Sequence, residues 1–392
     1  MKSSRKNKTQ IALAMAGHMT TDLYASFIVG IIPILAVKFN LSLFLVGLLT
    51  SITGISNSLT QPVFGYLADR YNPKYFLVLG PLLSAIFISV MPVMPTYPLV
   101  IVFLFIGNLS ISLMHPPAAA AGGQFGGRMK GFSNSLISFA GTFGYAMGSF
   151  FIILIIEKLG INFSPIAMIP GIIAAIFLFK FLNFPEKKSS AVQAKKIFRK
   201  IRTIDKYKVI RLAFVFSASY SRDIFWLALL TFMPLYFTGA GIRLIDMGTI
   251  LILFTLAGGI GGLISGYFSD KIKNKIIIIQ LGLLFSSPFA FYIFRTSGAV
   301  PVLMFICAGF FSIGTLPLCI RVSQDIFPAN MGLASSMVMG LSVGTASITM
   351  IFIGKVADNI GIQQTVFYII ILNLVLSLLL TVYYFIPIRK EA

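Results

Sequence analysis

The sequence predicts an all-α integral membrane protein of twelve transmembrane helices, built as two parallel six-helix pseudo-repeats. Three observations predict it. The 392-residue chain is 57% hydrophobic and only 11% charged, and its apolar residues fall in stretches near the roughly 20 residues that span a hydrocarbon core. Its basic residues occupy alternate loops. One ungapped shift of 201 residues superposes polar, proline and glycine landmarks spread over five helices.

The spans are read at 11–37, 43–68, 74–93, 97–124, 130–157, 162–182, 209–238, 245–268, 275–295, 299–326, 331–354 and 361–386. The segment MKSSRKNKTQ before the first resembles the basic start of a signal peptide. The run after it is long, polar at His18 and Asp22, and without a clear A-x-A site, so it is read as an uncleaved first helix. On the side of the N-terminus lie Arg70, Lys74, Arg128, Lys130, the cluster from Lys187 to Arg211, Lys271, Lys273, Lys275, Arg389 and Lys390. The other side holds only Lys38, Lys158, Arg243, Arg295 and Lys355. By the positive-inside rule both termini are cytoplasmic and the protein is multi-pass in an inner (plasma) membrane. The formal charge of +20 is then a topology signal in contact with the lipid bilayer, and nucleic acid is not an expected partner.

The repeat aligns Asp22 with Asp223, Pro33 with Pro234, Gly47 with Gly248, Gly65-Tyr66 with Gly266-Tyr267, Asp69 with Asp270, Lys74 with Lys275, Pro116 with Pro317 and Gly131 with Gly332. Six spans per half make the repeats parallel, related by an axis along the membrane normal. The domains expected are an N-terminal half at 1–183, a basic cytoplasmic linker at 184–208 and a C-terminal half at 209–392. The linker either tethers the halves or lies as an amphipathic helix on anionic headgroups.

A charge at the bilayer midplane costs about 2.5–3.5 kcal/mol on insertion scales, so such residues face a cavity or a partner. His18 and Asp22, in GHMTTDLY, are four apart and share a helix face. Asp223 falls at the matching depth of span seven. Arg222 either neutralises Asp223 or serves a substrate, Arg321 either snorkels, pairs with Asp325 or faces a cavity, and His115 is either a hydrogen-bonded core histidine or a site residue.

The loop GYLADRYNPK at Gly65, and GYFSDKIKNK at Gly266, resemble the signature loop of the major facilitator superfamily. GHMTTDLY, SLTQPVFGYLADR, MHPPAAAAGG and GFSNSLISFAGTFGYAMGS together resemble its fosmidomycin-resistance branch over nearly the whole chain, although that branch usually carries glutamate where Pro117 stands. The resemblance implies a monomeric secondary transporter with spans one, four, seven and ten around a central cavity. It implies proton-coupled efflux of a small polar or anionic compound, such as an antibiotic or metabolite, by alternating access. Asp22, His18 and Asp223 form the expected proton-coupling set, and His115, Arg222, Tyr24, Arg321 and Asp325 the expected substrate set. Asp69 would brace span eleven near Asn330 and Asp270 span five near Gly131, with Gly65, Gly266, Arg70 and Lys271 completing the gating loops. Import of a small nutrient is the alternative within the fold, and a non-transporting receptor or scaffold the alternative outside it.

No G-x-x-x-x-G-K-[ST] loop occurs, and two histidines and two cysteines show no zinc-ligand spacing, so no cofactor, metal or enzyme activity is expected. Cys307 and Cys319, about 18 Å apart on one predicted helix, are not expected to pair. Pro33, Pro116, Pro117, Pro234 and Pro317 are expected to interrupt helices. Gly258, Gly262 and Gly266 line one face suited to close packing. Gly141, Gly144 and Gly148 resemble the glycine-rich antiporter motif of drug exporters without its proline.

Overall fold

The computed structural model describes residues 2–126, 130–184, 206–272, 274–327, 334 and 337–385. Most of the predicted linker, Arg128, Asn330 and Gly332 lie outside these residues, as do the side chains of Asp69, Asp270 and Lys271.

Among the described residues, ten segments are long and apolar enough to cross a membrane. One of them, Met337–Tyr383, runs for 47 residues and is two spans, because Gly361 at φ 81° separates the helices Ser342–Ile360 and Ile362–Leu379. That φ is open to glycine without a Cβ clash. The helix Lys206–Gly239, 34 residues with Arg222 and Asp223 at mid-length, supplies the remaining span. No strand occurs among the described residues, and the architecture is the expected twelve-span all-α one.

Two compact units form, one from residues 1–189 with 231–256 and one from 190–230 with 257–392. In the first, span one is the helix Lys2–Ala25 followed by Phe27–Lys38. The break lies at Ser26 rather than at Pro33, which sits inside the second helix. The Ser26 carbonyl is satisfied from span five (Lys130–Leu159), whose Ser149 hydroxyl donates to it at 2.7 Å. Gly144 and Gly148 let these two spans touch: an added Cβ would collide with the Met19 carbonyl oxygen at one position and the Leu23 carbonyl oxygen at the other.

Span one also holds span six at both ends. The helix of span six, Ile169–Phe181, starts with backbone N–H groups that lack an intrahelical partner. The buried Tyr24 hydroxyl accepts from the Gly171 N–H at 2.9 Å and donates to the Ala167 carbonyl at 2.9 Å. At the far end, buried Gln10 donates to the Phe181 carbonyl at 3.2 Å and accepts from the Asn183 N–H at 2.7 Å. Tyr24→Phe is therefore expected to lower stability by about 1–3 kcal/mol, the cost of buried backbone groups left unpaired. Thermal unfolding in detergent measures it, and a midpoint equal to wild type would show that the Tyr24 hydroxyl does not cap span six.

Residues 231–256 complete the first unit. The Thr231 and Thr50 hydroxyls are 2.8 Å apart, Gly248 lies against Phe150 and Ile153, and Glu157 accepts from the Ile245 N–H at 2.9 Å at the start of the helix Leu244–Lys271. In the second unit, Val215, Ile279, Leu283, Leu318, Val322, Val338 and Leu380 form a buried cluster joining five spans. Close backbone approach in span eight belongs to Gly258 and Gly261, packed on Ile313 and Phe310; Gly262 has room for a Cβ, and Gly266 has nothing within 4 Å of one. The expected row at 258, 262 and 266 is thus displaced, because the contact face follows span ten rather than a four-residue stripe.

Proline interrupts less than expected. Pro116 and Pro117 lie inside the continuous helix Tyr97–Phe125 and Pro234 inside Lys206–Gly239. Pro317 does sit at a break, near the start of Leu316–Ile326. That break puts Cys307 and Cys319 on separate helices, both as free thiols.

Candidate functional site

In the first unit, one cluster gathers every histidine of the chain around a carboxylate. His18 and Asp22 stand one turn apart on span one, with His18 Nε2 and Asp22 Oδ2 separated by 3.3 Å. His115 enters from span four, its Nδ1 3.1 Å from His18 Nε2 and its Nε2 3.7 Å from Asp22 Oδ1. The imidazoles meet edge to face at 82°, centroids 5.2 Å apart.

Span five fixes the orientation. The Ile137 carbonyl lies 2.9 Å from His18 Nδ1 and, having no proton to give, must accept from it. The Nε2 of a neutral His18 is then a lone pair turned toward His115 and Asp22. Gly141 leaves the space for this, since a Cβ there would lie 2.6 Å from Asp22 Oδ2 and 2.8 Å from His18 Nε2. Asp22 Oδ1 is buried without a hydrogen-bond partner.

With His18 Nδ1 committed, a single proton on His115 Nδ1 satisfies the contact between the two imidazoles. The carboxylate then faces imidazole lone pairs at 3.3 and 3.7 Å. One more proton, on Asp22 or an imidazole, converts that opposition into a hydrogen bond. The cluster is built to hold one proton more or one fewer.

The repeat-related carboxylate has a different partner. Asp223 Oδ1 accepts from Arg222 Nε at 2.9 Å and Nη2 at 2.6 Å, and its Oδ2 accepts from the Ser342 hydroxyl at 2.5 Å. Arg222 and Asp223 are adjacent in sequence and both are buried, so the guanidinium bends back onto its neighbour. An imidazole exchanges protons near neutrality whereas a guanidinium does not. Of the two roles the sequence left open for Arg222, the structure shows the neutralisation of Asp223.

The other expected residues are dispersed. Tyr24 has its hydroxyl engaged by backbone on both sides, as a cap on span six rather than a substrate contact. Asp325 lies between Arg321 at 3.2 Å and Lys275 at 3.1 Å in a half-exposed ion cluster. In the signature loop, Arg70 stacks on Tyr66 with its guanidinium carbon 4.7 Å from the ring centre. Asn72 caps the helix Pro73–Val90 by accepting from the Lys74 N–H at 3.0 Å. Gly65 has room for a Cβ, Pro116 being 3.7 Å away, so neither signature glycine is required by packing.

Sequence reasoning singled out Gly141 as part of a glycine-rich motif without its place beside His18 and Asp22, and missed Ser342 and Asn373. Asn373 is a buried hub that donates to the Leu283 carbonyl at 2.9 Å and accepts from the Ser221 hydroxyl at 2.8 Å, one residue from Arg222. Its signal was present as an amide inside the apolar run IIILNLVLSLLL.

Known proteins match this chain along most of its length. The family model described as Major Facilitator Superfamily matches residues 14–339. The Fosmidomycin resistance protein of Escherichia coli (strain K12) is 22% identical over 368 residues, 92% of this chain and 90% of that protein. A bacterial homolog of the human lysosomal transporter Spinster, solved in an inward-facing and occupied conformation, superposes with a TM-score of 0.77 at 14% identity, covering 96% of each chain. A D-xylose-proton symporter superposes with a TM-score of 0.73 at 17% identity over 96% of this chain and 97% of its own. Twelve spans, the twice-occurring signature loop and a family match over most of the sequence lead to one assignment: the chain belongs to the major facilitator superfamily of membrane transporters.

Proposed function

We propose that this transporter exports a small polar or anionic compound in exchange for protons, with Asp22 as the proton-coupling carboxylate and His18 and His115 as its proton partners. The observation that carries the reading is the contrast between the two repeat-related carboxylates. Asp223 is bound by a permanently charged guanidinium, while Asp22 faces two imidazoles that can each take or release a proton. Intramembrane ionisable groups mark ion and substrate pathways. Exchangeable protons at one carboxylate and a fixed ion pair at the other make the first half the titrating half.

In this reading a proton entering the cluster sits between Asp22 Oδ2 and His18 Nε2 and neutralises the carboxylate. Its departure restores the charge and drives the site to the other side of an alternating-access cycle. Both termini are cytoplasmic, as the basic loops require, and the protein acts in the plasma membrane. The twin signature loops, including Asp69 and Asp270, serve as the gates.

The similarity to the fosmidomycin-resistance relative supplies the probe. Fosmidomycin accumulation is measured in a drug-sensitive, efflux-deficient bacterium expressing wild type or Asp22→Asn, with and without a protonophore. Wild type is expected to lower accumulation, with the effect lost under the protonophore and absent in Asp22→Asn at equal membrane abundance. An Asp22→Asn protein that exports as well as wild type would remove Asp22 from the coupling step.

A further inference from the structure

We propose that His18, Asp22 and His115 bind one divalent transition-metal ion of the zinc class, in competition with the protons of the cluster. The effect on transport rests on the reading of Asp22 given above, whereas binding of the ion does not.

Two imidazoles and a carboxylate offer ligand atoms that all lie within 4.8 Å of one another. Imidazole suits zinc, cobalt, nickel and copper, whereas magnesium and calcium prefer all-oxygen sites. The separations also fit. Metal–ligand bonds of about 2.0–2.1 Å in a tetrahedral site place neighbouring ligands about 3.4 Å apart. His18 Nε2 is 3.1 Å from His115 Nδ1 and 3.3 Å from Asp22 Oδ2.

The surroundings support the same conclusion. A metal-bound histidine nearly always donates its other N–H to a carbonyl or carboxylate, which aims the lone pair at the ion. His18 makes that contact with the Ile137 carbonyl at 2.9 Å. Asp22 Oδ1 is a buried acceptor with no hydrogen bond, 3.7 Å from His115 Nε2. Gly141 withholds the methyl group that would fill the space beside Asp22 Oδ2 and His18 Nε2. Side-chain exposures of 12% for His18, 14% for Asp22 and 24% for His115 leave the cluster partly uncovered. With three protein ligands, a tetrahedral ion keeps one position for water or another small ligand.

An ion here takes the lone pairs that would otherwise hold the coupling proton, so its affinity falls as pH falls, by about tenfold per pH unit for each proton displaced. The titratable groups that face Asp22 are His18, His115 and, from span five, Tyr145. The bound ion also blocks proton uptake by the cluster, and zinc is expected to inhibit proton-driven flux.

Cobalt is the direct probe. Tag-free, full-length protein in detergent is titrated with Co²⁺ at several pH values. Binding is followed by visible ligand-field absorption and by protection of histidine from acylation by diethylpyrocarbonate. The chain has only two histidines, both in this cluster, so protection reads this site alone. The expected result is one Co²⁺ per chain, displaced by Zn²⁺, with both histidines protected. Binding should weaken at least about tenfold in His115→Gln, provided the variant remains monodisperse. A wild type that shows neither the absorption nor the protection overturns the proposal without any variant. Failure of Co²⁺ binding with Asp22-dependent export intact would sink the metal site alone, and the converse result would sink the coupling role alone.

Discussion

Asp223→Leu is expected to be among the most damaging single substitutions in this protein, lowering stability by about 3–5 kcal/mol. Arg222 and Asp223 are almost completely shielded, and three hydrogen bonds converge on the carboxylate from Arg222 and Ser342. Removing the acid strands a guanidinium that cannot discard its charge, since arginine stays protonated in proteins. Arg222→Met is expected to cost less, because the orphaned aspartate can take up a proton. The double variant, with both charges gone, should recover most of the loss, as buried ion pairs contribute little relative to apolar replacements. Unfolding in a denaturing detergent titration of the four proteins tests this. Equal losses in the two single variants, adding up in the double, would show that the pair is not a coupled unit.

Gly148→Val is expected to prevent a stable first unit from forming. The added Cβ would overlap the Leu23 carbonyl oxygen and crowd the Ser26 hydroxyl. Ordinary overpacking costs about 1–3 kcal/mol because side chains give way. Here the obstacle is the backbone of span one, which cannot retreat without losing the Ser149 to Ser26 hydrogen bond at 2.7 Å. The matched control is Gly266→Val, where nothing lies within 4 Å of the new Cβ. Size-exclusion profiles and thermal midpoints of both variants in one detergent decide it. A monodisperse Gly148→Val protein with a wild-type midpoint would mean that spans one and five do not meet this closely.

The twelve spans were legible because hydropathy, loop charge and the repeat are each one-dimensional signals. The site was only half legible. His18 and Asp22 share a helix face and could be paired by counting, but His115 joins them from 97 residues away, so spacing rules for metal ligands were blind to the triad. Tyr24 was misplaced for the same reason: its two backbone partners lie on span six, and nothing beside it in sequence signals a cap. The break at Ser26 was assigned to Pro33 because a proline is visible and a turn is not. Gly266 illustrates the opposite error, since a glycine in a signature loop suggested close packing where the structure has open space.

The inclusion of residues 231–256 in the first unit sets a schedule for biosynthesis. When residue 183 has been made, Thr50 and Glu157 have been synthesised, but Thr231 and the Ile245 N–H that they bond do not yet exist. At roughly 5–20 residues per second, the ribosome needs about 4–15 s more to reach residue 256. Throughout that interval Thr50, Glu157 and the surface of Phe150 and Ile153 lack the partners they have in the finished unit. Slowing translation between residues 183 and 256 lengthens the time for which the first unit is incomplete, and is expected to lower the yield of folded transporter.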